Sequence, residues 1–166
     1  MRRIIGGSVV LVIGLVGTCV LSIPVAGAAK TGTVSPPATI PNNCSSDVSQ
    51  HLERWLQNRP AGTTVDVPPG ACYLINEGIQ LVGSQDLTIS GGTWEDTTTP
   101  QPGAEAKVLD AEMWLVGGSN ITLENMTIAG TNPGGYEQAG AFVGGIRSDG
   151  VVGLTVSNVC LLYTSD

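Results

Sequence analysis

Few residues in this chain have the means to do chemistry, and their surroundings decide between a working and an ordinary role. His51 is the only histidine. It finds no second imidazole for a metal site, and its place beside an apolar stripe suits a helix surface. Glu124, next to Asn125, reads as a solvated strand end rather than half of an acid–base pair. Asp149 lies in Gly144-Gly145-Ile146-Arg147-Ser148-Asp149-Gly150, where an Asp-Gly turn explains it better than a reacting carboxylate does. These residue types assign no catalytic residue, no cofactor site and no metal site. The constellation that stands out joins Trp114 to Arg147 and Asp149: an indole can stack on a pyranose face while a charged pair bonds its hydroxyls. Whether the three share a surface depends on the elements that carry them.

The chain begins as an exported protein does. Arg2 and Arg3 form a positive start, Ile4 to Ile23 is an apolar run, and Pro24 precedes the small-x-small site Ala26-Gly27-Ala28. Together they predict a signal peptide over 1–28 and a secreted, extracellular product that holds no membrane anchor after cleavage. Removing Arg2 and Arg3 takes the formal charge from −7 to −9. An acidic body without a Lys/Arg cluster excludes nucleic acid and anionic membrane surfaces as partners. The 23 glycines and 4% aromatic share suit short strands and tight turns.

Residues 29–43, rich in Pro, Thr and Ser, read as a flexible linker. A capping helix follows over 44–60, with Ser46 or Asp47 as its cap. Val48, Leu52, Trp55 and Leu56 form one stripe, Glu53, Arg54 and Gln57 lie opposite, and Pro60 is the stop. Thr63 to Ile75 alternates around Pro68-Pro69-Gly70 and fits either a hairpin or a corner.

The strongest internal signal is a repeat. Ile79–Trp94, Met113–Ile128 and Ile146–Leu161 align without gaps at offsets of 34 and then 33 residues. Alternation points Ile79/Met113/Ile146, Leu87/Ile121/Leu154, Ile89/Leu123/Val156 and Trp94/Ile128/Leu161 inward, and Thr88/Thr122/Thr155 outward. Gly91, Asn125 and Asn158 occupy a bend that needs a left-handed residue. Equal residues at equal phase are what stacked coils require, so the fold expected over 61–161 is all-β: a right-handed parallel β-helix behind the capping helix. The Pro/Gly-rich stretches Glu95–Lys107 and Thr131–Ala141 read as corner insertions. This register sets Gln80, Trp114 and Arg147 in one outward column, with Val82, Val116 and Asp149 in the next. Two readings follow. Trp114, Arg147 and Asp149 form a sugar platform, or Arg147 stacks on Trp114 (or a loop covers it) as an ordinary surface contact.

The stacked units with Asn at the bend resemble the pectin-lyase-like right-handed β-helix superfamily. Cys44-Ser45-Ser46-Asp47-Val48, the Trp55 helix, Val65-Asp66-Val67 and Cys72-Tyr73-Leu74-Ile75 are similar to the start of actinobacterial secreted β-helix proteins, and the likeness spans about 44–161. It implies contact with polysaccharide or cell-wall glycan. If the whole protein is an enzyme, it implies a polysaccharide lyase or glycoside hydrolase. The grouped Asp residues of polygalacturonases and the Asp–Arg calcium sites of pectate lyases find no match here, so the resemblance names no reaction. The catalytic coils are expected beyond residue 166 and this part is expected to be inactive. The alternative is a non-catalytic surface or structural β-helix. Cys44 and Cys72 bracket the helix, and export favours their disulfide over two buried thiols, worth roughly 3–4 kcal/mol in the chain-entropy treatment. Cys160 points outward. Residues 160–166 resemble translated sequencing adapter, and the chain is read as truncated at its C-terminus.

Overall fold

The computed structural model describes residues 32–98, 111–132 and 144–165. The expected signal peptide, Lys107 and most of the two stretches read as corner insertions lie outside them. The described residues form a parallel β-solenoid of about three turns with one short helix. The elements are β1 (Gly32–Val34), β2 (Asn43–Asp47), α1 (Ser49–Gln57), β3 (Thr63–Asp66), β4 (Cys72–Leu74), β5 (Ile79–Val82), β6 (Thr88–Ser90), β7 (Thr93–Asp96), β8 (Ala111–Val116), β9 (Thr122–Asn132), β10 (Gly144–Asp149) and β11 (Thr155–Ser165). Every strand pairing is parallel. Strands β3, β6, β9 and β11 stack along one line, and β4 and β7 stack beneath the second half of β9. Strands β5, β8 and β10 form the separate three-stranded sheet. The segment 63–75 is therefore a corner within a coil and not a hairpin.

The expected register holds at each aligned pair. Thr88 pairs with Thr122 and Thr122 with Thr155, and the column extends backwards through Thr64 to Thr33. Side chains alternate across the sheet, so the residues between the threonines face in. Val65, Ile89 and Leu123 are fully buried, as are Tyr73, Trp94 and Ile128 one column along. The Tyr73 and Trp94 rings meet at 5.4 Å, and the Trp94 indole N–H donates to the Gly91 carbonyl at 3.1 Å. Each such side chain contributes about 1.5–3 kcal/mol by leaving water. Val156 and Leu161 sit in register on these columns yet are 46% and 49% exposed. Facing inward buries a residue only where another coil covers it, and no coil lies over β11 among the described residues.

The bends conform to the expected bend position and add one like it. Asn125 and Asn158 adopt φ of 55° and 50°, in line with Gly91. Asn158 Nδ2 donates to Asn125 Oδ1 at 2.9 Å, and Asn125 Nδ2 donates to Ser90 Oγ at 3.2 Å. A second left-handed column joins Asp86 and Asn120 (φ 49° and 53°), again bridged by an amide-to-carboxylate bond of 2.9 Å. At Gly91 no side chain fits, because a Cβ would lie 2.8 Å from the Val67 carbonyl of the neighbouring Pro68-Pro69-Gly70 corner.

The structure differs from expectation at the entry. Part of the stretch read as linker is ordered: β1 pairs with β3, and Ile40 enters the core. The helix occupies Ser49–Gln57 rather than 44–60, because residues 43–47 pair with β4 as β2. Neither expected residue is the N-cap: that position falls to Val48, which makes no side-chain cap bond, and Asp47, one residue further out, accepts through Oδ1 from the Ser49 N–H and hydroxyl at 2.9 and 2.6 Å. Cys44 and Cys72 are joined in a disulfide across β2 and β4, Cα atoms 5.1 Å apart, which fits an oxidising compartment. No helix among the described residues is long and apolar enough to cross a membrane.

Candidate functional site

The outer face of the β5–β8–β10 sheet carries the polar constellation. Ile79, Leu81, Met113 and Leu115 are buried on its inner side, so the residues between them project outward. Gln80 pairs with Trp114 and Trp114 with Arg147, while Val82, Val116 and Asp149 form the adjacent column. The three residues expected to meet do so. The Trp114 indole N–H donates to Asp149 Oδ2 at 2.6 Å, and Arg147 Nε donates to the same oxygen at 3.0 Å. The guanidinium carbon stands 4.6 Å over the Trp114 ring centre.

This geometry sets what the cluster can do. Asp149 Oδ2 is doubly bonded to donors while Oδ1 has no partner among the described residues, nor do the terminal nitrogens of Arg147. The ion pair is 41% and 44% exposed, so its electrostatic contribution is at most about 1 kcal/mol, and the cation–π contact adds about 0.5–1 kcal/mol. Ties this weak leave Arg147 displaceable from the ring. The Asp-Gly turn is also present, since Asp149 ends β10 and Gly150 turns at φ 72°. Asp149 therefore closes a corner and anchors the indole together.

Beside this column, α1 covers the edge of the sheet, and here the sequence pattern misassigns two residues. Glu53 and Gln57, placed opposite the apolar stripe, turn to β5. Glu53 Oε2 accepts from the Gln80 N–H at 2.8 Å, and Gln57 Oε1 accepts from the Val82 N–H at 2.8 Å. Gln57 Nε2 donates to the Val82 carbonyl at 2.7 Å, and Ser49 Oγ accepts from the Glu77 N–H at 3.0 Å. Four helical residues rise about 6 Å and two strand residues about 6.6 Å. From Glu53 to Gln57 the helix thus keeps step with the edge-facing N–H groups of Gln80 and Val82. That spacing was the available signal. His51 is exposed.

Cys44 Sγ, Cys72 Sγ and a Glu95 carboxylate oxygen lie within 4.8 Å of one another. The two sulfurs are bonded to each other, so the trio offers no thiolate to a metal. Cys160 is a free, exposed thiol. No family model, curated protein or solved structure matches this chain, and the solenoid assignment stands on strand register.

Proposed function

We propose that this chain is part of an exported β-helix protein of the pectin-lyase-like kind whose β5–β8–β10 face binds polysaccharide or cell-wall glycan. The observation that carries this function is the outward Trp114, fixed through its N–H to Asp149 and flanked by Arg147. An aromatic ring with its edge anchored and unpaired donors and acceptors beside it is the minimal equipment for holding a sugar ring. Arg147 moves off the indole as the sugar stacks and then bonds hydroxyls alongside Asp149 Oδ1. Export is supported by the leader and by the Cys44–Cys72 disulfide. These coils bind rather than turn over substrate; in a whole enzyme of the lyase or glycoside hydrolase class, the reacting carboxylates belong to other coils. A second function is favoured by the 4.6 Å Arg147–Trp114 stack itself. There the triad only staples β8 to β10 in a non-catalytic display scaffold.

A panel of immobilised plant and bacterial cell-wall glycans separates the two. Binding to at least one glycan, abolished in Trp114→Ala with an unchanged circular dichroism spectrum, supports the platform. Loss of folded stability in Trp114→Ala without glycan binding by the parent protein supports the staple.

A further inference from the structure

A groove of about 610 Å³ runs between α1 and β5, lined in part by Gln50, Glu53, Arg54, Gln57, Glu77 and Gln80. Its walls are held in place. Glu53 and Gln57 are bonded to the backbone of β5, and Gln50 Nε2 donates to Glu77 Oε2 at 2.9 Å. Other polar groups in it are not used by the fold: the Arg54 guanidinium, the Gln80 side-chain amide and Gln50 Oε1 have no partner among the described residues. Gln80 also belongs to the outward column of Trp114 and Arg147. Its strand lies one coil step, about 4.8 Å, from that of Trp114, so Gln80 is the residue common to the groove and the outward column.

We propose that the groove is a second subsite for the ligand of Trp114, and that this ligand is an uncharged, hydroxyl-rich oligosaccharide lying across the coils. The extension rests on the glycan-binding function proposed above. The groove mixes donors and acceptors, which suits hydroxyls that both give and take a hydrogen bond. Two carboxylates, Glu53 and Glu77, outnumber the one cation, Arg54, and the chain as a whole is acidic. That balance repels a polyuronate and tolerates a neutral glycan. Side-chain order is already imposed on Glu53, Gln57 and Gln50 by their bonds to the fold, so binding immobilises only Arg54 and Gln80 anew.

Calorimetric titration with cellobiose, cellohexaose and hexagalacturonate tests the proposal. The expected order is cellohexaose tighter than cellobiose by about tenfold or more, with hexagalacturonate weakest. Arg54→Ala combined with Gln80→Ala brings cellohexaose about tenfold down toward cellobiose, two hydrogen bonds at about fivefold or less each. Trp114→Ala weakens both neutral probes. Equal affinity for the short and long neutral probes overturns the second subsite. So does cellohexaose binding that ignores Arg54 and Gln80 but is lost in Trp114→Ala, and then the platform alone survives. Hexagalacturonate binding more tightly than cellohexaose overturns the uncharged ligand. Failure of all three probes overturns this extension, while a hit on the wider glycan panel would still uphold the binding function.

Discussion

Replacing Glu53 with alanine removes the acceptor that α1 offers to the Gln80 N–H across 2.8 Å. An edge strand left with unpaired N–H groups loses hydrogen-bond energy and invites pairing with another chain. A bond from a backbone N–H to a charged acceptor is worth about 1.5–3 kcal/mol, but this one is only partly buried, and water recovers some of it. The expected loss for Glu53→Ala is therefore about 1–2 kcal/mol. Gln57→Ala gives up two bonds at an exposed position and should cost about 1 kcal/mol. Since both residues clasp one strand, the double variant should depart from additivity. Urea unfolding followed by far-ultraviolet circular dichroism reads this as a lower midpoint at constant slope. Glu53→Gln, which keeps an acceptor, should recover most of the loss. Arg54→Ala, on the same face but with no side-chain partner among the described residues, should change the stability by less than about 0.5 kcal/mol. Equal midpoints for Glu53→Ala and Arg54→Ala would refute the claim that α1 completes the sheet.

Three further outcomes follow from the fold. Mutating Cys44 and Cys72 to serine releases a loop of sequence separation 28 and should cost about 3–4 kcal/mol in urea unfolding. Asn125→Ala, at φ 55° within the side-chain ladder, should destabilise by about 1–3 kcal/mol. Asn125→Gly should destabilise less, and thermal midpoints compare the two. Burial raises the ionisation of Tyr73 above that of a free phenol, so above about pH 10 the unfolded chain loses this proton more readily than the folded one. Stability should accordingly be intact below that pH and fall as pH rises further, and Tyr73→Phe should flatten that decline in urea titrations across the alkaline range.

How much of this was readable in the sequence depends on which physical rule placed each residue. Stacking demands equal residues at equal phase, so Thr88, Thr122 and Thr155, the inward Ile and Leu columns, and the Trp114–Arg147 neighbours were legible. The bend at Asn125 and Asn158 was legible because asparagine tolerates left-handed φ. The column through Asp86 and Asn120 escaped notice because Asp and Asn differ in type while sharing the conformation. The ordered strand at 32–34 was hidden by proline and threonine content, since pairing to β3 rather than local propensity orders it. Glu53 and Gln57 were read only as lying opposite the apolar stripe, because polarity alone cannot tell water from the edge of a sheet. The register of Val156 was legible but its exposure was not, since alternation gives facing and says nothing of cover. For the site, the sequence supplied the trio but not the choice between platform and stack. The guanidinium over the ring realises the stacked arrangement.

The central claim is that Trp114 receives a sugar ring, and its own N–H reports on that directly. The chain has three tryptophans, and their indole N–H groups give separate nitrogen-15 correlation signals. Trp114 Nε1 is bonded to Asp149 and Trp94 Nε1 to the Gly91 carbonyl in the core, while Trp55 lies under Arg59. On titration with a glycan captured from the panel, the Trp114 signal should shift progressively to saturation while those of Trp94 and Trp55 stay in place. Saturable glycan binding that leaves the Trp114 signal unmoved would contradict the account.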